Sequence, residues 1–218
     1  MIFDCDGTLV DTITDVGICF NSALRECGFP EHPLASYGGF VGGNLETIIK
    51  KLLPKHNACP DNVDKVKKAY RAIYSKSKKE NTKLFPGIYD LLNDLREKGF
   101  ILTVNTNKGQ ALTDELLESL FPQSPFACVV GYDETRPSKP DPFGVDMICH
   151  TCALSRNEAV YIGDSLSDIN TAYNANIPCI LVTWGQGTDC DRRDNRVHCV
   201  VDTVEELKKQ LELFLLKE

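Results

Sequence analysis

The stretch that decides the fold is Asp4-Cys5-Asp6-Gly7-Thr8, which follows the short apolar run Met1-Ile2-Phe3. An apolar entry, two acidic residues and a glycine in this order predict the end of a buried strand that breaks into a turn. Alternate residues of a strand point to the same side, so Asp4 and Asp6 are expected to face one pocket. This strand therefore carries two carboxylates at its carboxyl end.

Strands and helices alternate through the second half of the chain. Short apolar runs predict strands over residues 100–104, 128–130, 159–162 and 179–182. Amphipathic spacing predicts helices over residues 84–98, 109–120, 142–154, 167–176 and 204–216. Such an alternation is typical of an α/β fold, in which helices cover both faces of a parallel sheet.

The first half of the chain is different, because apolar residues recur there at helical spacing. Helices are predicted over residues 12–27, 44–53 and 61–79, and no strand is predicted between Thr12 and Lys83. We therefore expect two units. Residues 1–11 and 84–218 would form a core domain, and residues 12–83 would form an inserted, all-helical domain.

The composition is that of an ordinary globular protein. The 218 residues are 42% hydrophobic and 25% charged, and the formal net charge is −7. The acidic balance argues against nucleic acid as a partner, and no apolar run is long enough to span a membrane. Because no secretory signal is visible, we interpret the 10 cysteines as reduced thiols. We expect a cytoplasmic protein that is a monomer or a small homo-oligomer.

Four strand ends carry polar residues. Besides Asp4 and Asp6, they are Thr106-Asn107-Lys108, Ser138-Lys139-Pro140 and Gly163-Asp164-Ser165-Leu166-Ser167-Asp168. The carboxyl ends of parallel strands meet at one edge of a sheet, so we expect these residues to lie together. Each group also has an ordinary explanation, such as a helix cap at Thr106 or Ser165, or an exposed loop lysine at Lys139.

The coincidence of the four groups favours a functional site. Four aspartates would crowd like charges into one crevice, which is unfavourable unless a cation compensates them. They are Asp4, Asp6, Asp164 and Asp168. An all-oxygen carboxylate cluster suits a hard divalent ion such as Mg²⁺. With a lysine and a threonine hydroxyl beside the metal, the site is suited to hold a phosphoryl group.

These residues resemble the four ordered motifs of the haloacid dehalogenase superfamily. The motifs are Asp4-x-Asp6-Gly7-Thr8, Thr106-Asn107, Lys139-Pro140 and Gly163-Asp164-x-x-x-Asp168. The helical insertion is similar to the cap of the subfamily that includes phosphoglycolate phosphatase and β-phosphoglucomutase. Residues 41–43, 84–87 and 182–185 are similar to the phosphoglycolate phosphatase-like members in particular. The resemblance implies a Rossmann-like core with a helical cap domain.

The resemblance also implies a role for each motif residue. Asp4 would be the nucleophile that forms an aspartyl-phosphate. Asp6 would protonate the leaving oxygen and then accept a proton from the hydrolytic water. The phosphoryl oxygens would be held by Thr106, Asn107 and Lys139. Mg²⁺ would be bound by Asp4, by the Asp6 carbonyl, by Asp164 and by Asp168, the last directly or through another ligand.

An acid at position 6 favours phosphate ester chemistry, because the related dehalogenases and phosphonatases lack one there. The implied function is a Mg²⁺-dependent phosphatase of a small phosphorylated metabolite, with phosphoglycolate as the leading substrate. A β-phosphoglucomutase-like phosphomutase is the nearest alternative, and pyrophosphate or nucleoside monophosphates are further substrate options. A catalytically silent binding module is a third class of function.

The helical insertion offers further candidates. Gly42, Gly43 and Asn44 belong to a glycine-rich turn that would close over the site. Asn44 would either reach a substrate or, as the favoured interpretation, cap the next helix. Residues 65–83 are basic, which would give either a positive lid or, as the favoured interpretation, a solvated helix face.

Overall fold

The computed structural model describes residues 1–214 of the chain. The strands are β1 (Ile2–Phe3), β2 (Val10–Asp11), β3 (Lys83–Leu84), β4 (Thr103–Gly109), β5 (Cys128–Tyr132), β6 (Tyr161–Gly163), β7 (Cys179–Val182) and β8 (Cys199–Val201). The α-helices are α1 (Ile13–Cys27), α2 (Leu45–Leu52), α3 (Pro60–Tyr74), α4 (Ile88–Glu97), α5 (Gln110–Leu120), α6 (Phe143–Thr151), α7 (Leu166–Ala175), α8 (Asp189–Arg192) and α9 (Val204–Glu212). No helix within residues 1–214 has the length and apolar content of a membrane span.

Six strands form one parallel sheet in the order β5-β4-β1-β6-β7-β8. β1 lies at the centre and pairs with β4 on one side and with β6 on the other. It has only two residues, but the backbone N–H of Asp4 continues the pairing by donating to the Ile162 carbonyl at 2.8 Å. The predicted α/β fold is confirmed, and β1 delivers Asp4 to the middle of the carboxyl edge of the sheet.

Both faces of the sheet are covered by helices. Phe3, Val104 and Ile162 belong to one apolar cluster, which includes residues of α4, α5 and α9. Ile2 and Tyr161 belong to a second cluster, which includes residues of α6 and α7. Because side chains alternate along a strand, the two residues of β1 tie both layers to the strand that carries Asp4.

The residues between β2 and β3 are helical and have an apolar cluster of their own. We call residues 12–82 the helical segment. Its helices α1, α2 and α3 bury Phe20, Leu24, Ile49 and Val66 against one another. The chain enters this segment through β2 and leaves it through β3. These two connections lie side by side, because β2 and β3 pair in antiparallel fashion. The segment is therefore joined to the rest of the chain through one short, two-stranded junction.

Several element boundaries differ from the predictions by a few residues, and two of the differences have a clear local reason. The strand predicted over residues 100–104 begins at Thr103, because the Phe100 N–H is used to close α4 by donating to the Leu95 carbonyl. It runs to Gly109, so Thr106, Asn107 and Lys108 lie within β4 and not after its end as predicted. The helix predicted to continue to residue 79 ends at Tyr74. There the hydroxyls of Ser75 and Ser77 donate to carbonyls of the last turn and compete with helical hydrogen bonds.

Four short elements were not predicted at all. Strands β2, β3 and β8 have two or three residues and α8 has four, so none of them is long enough to produce a detectable periodicity. At the other end of the chain, α9 ends at Glu212. The final part of the helix predicted over residues 204–216, residues 215 and 216, lies outside the described residues.

Asp15 joins the start of the helical segment to its end, just before β3. Its carboxylate, in the first turn of α1, accepts hydrogen bonds from the backbone N–H and the side-chain amide of Asn81, each at 2.9 Å. It also accepts one from the Thr82 hydroxyl at 2.7 Å. Asp15 is only 6% exposed, so these bonds are poorly replaced by water. The contact fixes the direction in which the helical segment leaves the sheet.

Replacing Asp15 with alanine should destabilise the protein measurably. Asp15→Ala leaves three donors without their acceptor, so we expect the free energy of unfolding to fall by about 2–4 kcal/mol in urea titrations. Glu26→Ala removes an exposed acid from the same helix and should change it by less than about 0.5 kcal/mol. Equal effects of the two substitutions would show that the Asp15 contact does not stabilise the fold.

Candidate active site

The four polar groups meet in one cavity of about 440 Å³ between the carboxyl edge of the sheet and the helical segment. The predicted site residues that line it are Asp4, Asp6, Thr106, Asn107, Lys139, Asp164, Gly42, Gly43 and Asn44. Asp168 is fully buried behind Lys139 and reaches the cavity only through contacts with other residues.

Asp4 is oriented by donors from its own turn and from a distant loop. Its Oδ1 accepts from the Cys5 N–H at 2.7 Å and lies 2.9 Å from Lys139 Nζ. Asp4 is 7% exposed, and its Oδ2 receives no hydrogen bond from residues 1–214. The carboxylate is thus held through one oxygen and left available through the other.

Asp168 acts on the site through Lys139. Its Oδ1 accepts from Lys139 Nζ at 2.6 Å. Its Oδ2 accepts from the Ser165 N–H at 3.0 Å, the Ser165 hydroxyl at 2.8 Å and the Asp164 N–H at 3.2 Å. Ser165 and Asp168 form the capping box of α7, so the ordinary capping explanation of these two residues is confirmed. Both oxygens of Asp168 are used by protein donors, and they position the lysine.

Asp164 is packed against glycines that leave no space for a side chain. Its Oδ2 accepts from the Gln186 N–H at 2.6 Å. A Cβ on Gly7 or on Gly185 would lie 2.4 Å from the same oxygen. Gly7 also has a φ of +85°, which disfavours residues with a side chain. The turn after Asp6 therefore needs glycine for the carboxylate of Asp164 to face the cavity.

The carboxylates fit a divalent cation. Asp4, Asp164 and Asp168 each offer an oxygen within 4.8 Å of the others. Burial, and then the charge of Asp168, raise the pKa of Asp4 to about 7. The same two causes raise the pKa of Asp164 well above its ordinary value. The single positive charge of Lys139 does not balance the negative charge of three carboxylates. Three carboxylates also supply the hard oxygen ligands that suit Mg²⁺.

A second network surrounds Asp6. Its Oδ1 accepts from the Thr12 hydroxyl at 2.7 Å, and Lys108 Nζ lies 3.0 Å from Oδ1 and 3.2 Å from Oδ2. Lys108 also donates to the Tyr74 hydroxyl at 2.9 Å and lies 4.8 Å from the centre of its ring. Tyr74 is the last residue of α3, so Lys108 connects Asp6 to the helical segment.

Lys108 is buried yet charged. Its side chain is 7% exposed. Burial disfavours the ammonium, but Asp6, with smaller contributions from Tyr74 and other neighbours, outweighs this effect, and the pKa of Lys108 is raised well above its ordinary value. The lysine is therefore a permanent cation beside Asp6.

Tyr74 was not predicted for the site, and Lys108 was predicted only as a member of the polar group Thr106-Asn107-Lys108, with no role of its own. Lys108 directly follows Asn107, and that adjacency is the one signal that suggests it. The direction of its side chain depends on an interruption of the β4–β5 ladder between Asn105 and Gly109, which no sequence pattern indicates. Tyr74 comes from a helix end 34 residues away and reaches the site only through the fold.

Three other residues present polar atoms at the floor of the cavity. Asn107 Oδ1 and Ser167 Oγ are buried and have no hydrogen-bond partner within residues 1–214. Thr106 Oγ1 accepts from the Lys108 N–H at 3.3 Å, so its own hydroxyl hydrogen is free to be donated. All three residues line the cavity, so a bound ligand or water would satisfy these atoms.

The candidates of the helical segment have mixed outcomes. Asn44 caps α2, since its Oδ1 accepts from the N–H and the hydroxyl of Thr47 at 3.0 and 2.9 Å, and the capping interpretation is confirmed. The solvated-face interpretation of residues 65–83 holds for Lys68, which is exposed. Lys67 and Arg71, whose side chains are 16% and 41% exposed, both line the cavity.

Comparison with known proteins identifies the family. Residues 1–182 match the family of haloacid dehalogenase-like hydrolases. The chain belongs to this family. It is 31% identical to a phosphoglycolate phosphatase from Nitrosospira multiformis over 194 residues, which covers 87% of this chain and 86% of the relative. It is 28% identical over 214 residues to a phosphoglycolate phosphatase from Nitrosococcus oceani, which covers 97% and 95% of the two chains.

Solved structures agree with this assignment. A crystal structure of a Lactobacillus delbrueckii protein assigned as a phosphoglycolate phosphatase has a TM-score of 0.89 and 28% identity, and covers 96% of both chains. The predicted resemblance to the haloacid dehalogenase superfamily, and to its phosphoglycolate phosphatase-like members, is confirmed. The chain is a phosphatase-type hydrolase with a Rossmann-like α/β core.

We expect Mg²⁺ to bind with release of protons. Below about pH 7 the metal-free protein keeps a proton on Asp4, because its pKa is raised, whereas a cation binds the ionised carboxylate. Affinity should therefore increase about tenfold per pH unit for each proton released as the pH approaches 7 from below. Calorimetric titration of Mg²⁺ in two buffers with different ionisation enthalpies measures both the affinity and the number of protons released. Equal affinity at about pH 6 and pH 8 would contradict the expected linkage.

Lys108 should be needed for turnover. Lys108→Met removes the cation that holds Asp6 but keeps a long side chain, so we expect kcat for phosphate ester hydrolysis to fall about 10- to 100-fold. Lys79→Met is a matched control, because Lys79 is also largely buried, pairs with Glu115 and lies over the Tyr74 ring, yet does not line the cavity. If the two variants lose activity equally, the effect does not come from Asp6.

Proposed function

We propose that this chain is a Mg²⁺-dependent phosphatase that hydrolyses a small phosphate monoester, phosphoglycolate or a close analogue, through an aspartyl-phosphate on Asp4. The observation that carries the proposal is the contact of Asp4 with Lys139 in the cavity that also holds Asp6. The Asp4 carboxylate, the Lys139 ammonium and the carboxyl group of Asp6 border one space, and these three groups support the proposed chemistry. The phosphoglycolate phosphatase relatives support the same chemistry.

The first step transfers the phosphoryl group to the enzyme. A carboxylate oxygen of Asp4 attacks phosphorus in line with the leaving oxygen, and the bond between phosphorus and that oxygen breaks. Asp6 gives its proton to the leaving oxygen as the bond breaks. The Lys139 ammonium, already in contact with Asp4, stabilises the charge on the transferred group, and the Thr106 hydroxyl is available to donate to it.

The second step hydrolyses the aspartyl-phosphate. Asp6, now ionised, accepts a proton from a water molecule as the water attacks phosphorus. The bond to Asp4 breaks, which regenerates its carboxylate and yields inorganic phosphate. The hydrogen bonds from Thr12 and Lys108 hold the Asp6 carboxylate in position to accept that proton.

The proposed metal site uses the same residues. Asp4, Asp164 and the backbone carbonyl of Asp6 would hold Mg²⁺, with Asp168 beside them. When bound, Mg²⁺ supplies positive charge that offsets the repulsion between the substrate phosphate and the buried carboxylates. We propose that the helical segment acts as a cap, which covers the ester and excludes water from the cavity.

The proposal predicts metal-dependent release of inorganic phosphate. Asp4→Asn removes the nucleophile while keeping the shape of the side chain, so kcat should fall by at least about 1,000-fold. The assay would use 2-phosphoglycolate, hexose phosphates, nucleoside monophosphates and pyrophosphate, with Mg²⁺ and with a chelator. Asp90→Asn, at an exposed aspartate of α4, should keep full activity.

The other outcomes distinguish the alternatives. Phosphate release that persists in Asp4→Asn would contradict the proposed intermediate. Isomerisation of a hexose phosphate without phosphate release would assign the chain to the phosphomutases, and pyrophosphate as the preferred substrate would make it a pyrophosphatase. Binding of esters without turnover would favour the binding module. The cytoplasmic location and the monomeric or small homo-oligomeric state stay predictions from the sequence.

A further inference from the structure

Helix α3 places two cationic side chains on the wall of the cavity that faces the sheet edge. Lys67 and Arg71 are four residues apart, so they lie on the same face of the helix. Both line the cavity together with Asp4 and Lys139. Neither takes part in the two chemical steps proposed above. They form a second group of positive charge within the same cavity.

The present partners of these cations are exchangeable. Arg71 Nη1 lies 2.6 Å from Glu134 Oε1, and Lys67 Nζ lies 3.2 Å from Glu46 Oε1. The side chains of Glu134 and Glu46 are 63% and 51% exposed. The Arg71 side chain is itself 41% exposed, and exposed ion pairs contribute little net stability, so an anionic group of a ligand can replace Glu134 at small cost.

The charge of the cavity also indicates an anionic ligand. Five cationic side chains line it against four carboxylates, although the whole chain has a net charge of −7. Two of the five are already used within the site, since Lys108 pairs with Asp6 and Lys139 pairs with Asp4. The other three pair with carboxylates outside the reacting groups: Lys67 with Glu46, Arg71 with Glu134 and Arg136 with Asp133.

We propose that Arg71, assisted by Lys67, binds a second anionic group of the substrate, so that the enzyme selects phosphate esters whose leaving group carries a carboxylate. A guanidinium binds a carboxylate through two parallel hydrogen bonds, which a neutral hydroxyl or methyl group cannot accept in the same way. The inference rests on the proposed phosphatase function and specifies the leaving group. Arg71 is in this view a specificity-determining residue.

The position of Arg71 along α3 indicates a short leaving group. Tyr74 contacts Lys108 beside Asp6, so the position of Tyr74 along the axis of α3 is the one nearest to the reacting groups. Arg71 lies roughly 4.5 Å further along the helix axis, and Lys67 lies roughly 10 Å further. The nearer cation matches a carboxylate that is separated from the ester oxygen by a single carbon. The farther cation contributes mainly by attracting the anion.

Two esters that differ in the second anion test the proposal. In 2-phosphoglycolate the carbon after the ester oxygen carries a carboxylate, and in 2-hydroxyethyl phosphate it carries a neutral hydroxymethyl group. We expect the wild-type protein to have the higher kcat/KM for 2-phosphoglycolate. Arg71→Gln should lower that value about 10- to 100-fold, mainly through KM, and change the value for 2-hydroxyethyl phosphate less than about threefold.

Matched variants control for loss of charge and of an ion pair. Arg25→Gln removes an exposed arginine that pairs with Glu31 in the same helical segment but outside the cavity, so it should leave both esters unaffected. Arg71→Lys keeps the charge without the planar fork and should restore part of the loss. Lys68→Met removes an exposed cation of α3 that does not line the cavity and should have no effect.

An equal fall in kcat/KM for both esters in Arg71→Gln would overturn the proposal. Equal kcat/KM values for the two esters in the wild-type protein would overturn it as well. Calorimetric binding of both esters to Asp4→Asn, with and without Arg71→Gln, separates this proposal from the phosphatase proposal. A binding preference for 2-phosphoglycolate that is lost with Arg71 supports the second-anion site even if no ester is hydrolysed. Hydrolysis without such a preference supports the phosphatase and refutes the role of Arg71.

Discussion

The Lys139 ammonium lies between the carboxylates of Asp4 and Asp168, at 2.9 Å and 2.6 Å, and the rest of the site depends on this contact. All three side chains are buried, and removing one partner of such a group leaves an uncompensated charge that costs about 3–5 kcal/mol. Burial disfavours the ammonium, but the charges of Asp168 and Asp4 outweigh it and raise the pKa of Lys139 well above its ordinary value. The cavity therefore keeps a fixed cation beside Asp4.

The parallel sheet makes this contact possible. Asp4 follows the central strand β1, and Asp164 follows its neighbour β6, so both carboxylates meet at one edge although the chain separates them widely. The same closeness excludes side chains at Gly7 and Gly185, where a Cβ would collide with Asp164. The carboxylates of Asp4, Asp164 and Asp168 therefore lie close enough together to fit a divalent cation.

The helical segment contributes to the site in another way. Its helix α3 contacts Lys108 through Tyr74, and it carries Arg71 one turn away on the cavity wall. The sheet edge thus holds the groups proposed for the chemistry, and the helix holds the groups proposed for selecting the leaving group.

The sequence by itself determined the α/β fold and the set of motif residues, because strand–helix alternation places the carboxyl ends of parallel strands at one edge. It also determined the capping role of Asn44, which depends only on local spacing. Only the tertiary structure decided that Lys108 and Tyr74 reach Asp6 and that Arg71 faces the cavity. These contacts join distant segments and depend on an interrupted strand ladder and on the orientation of a helix, which local residue patterns do not encode.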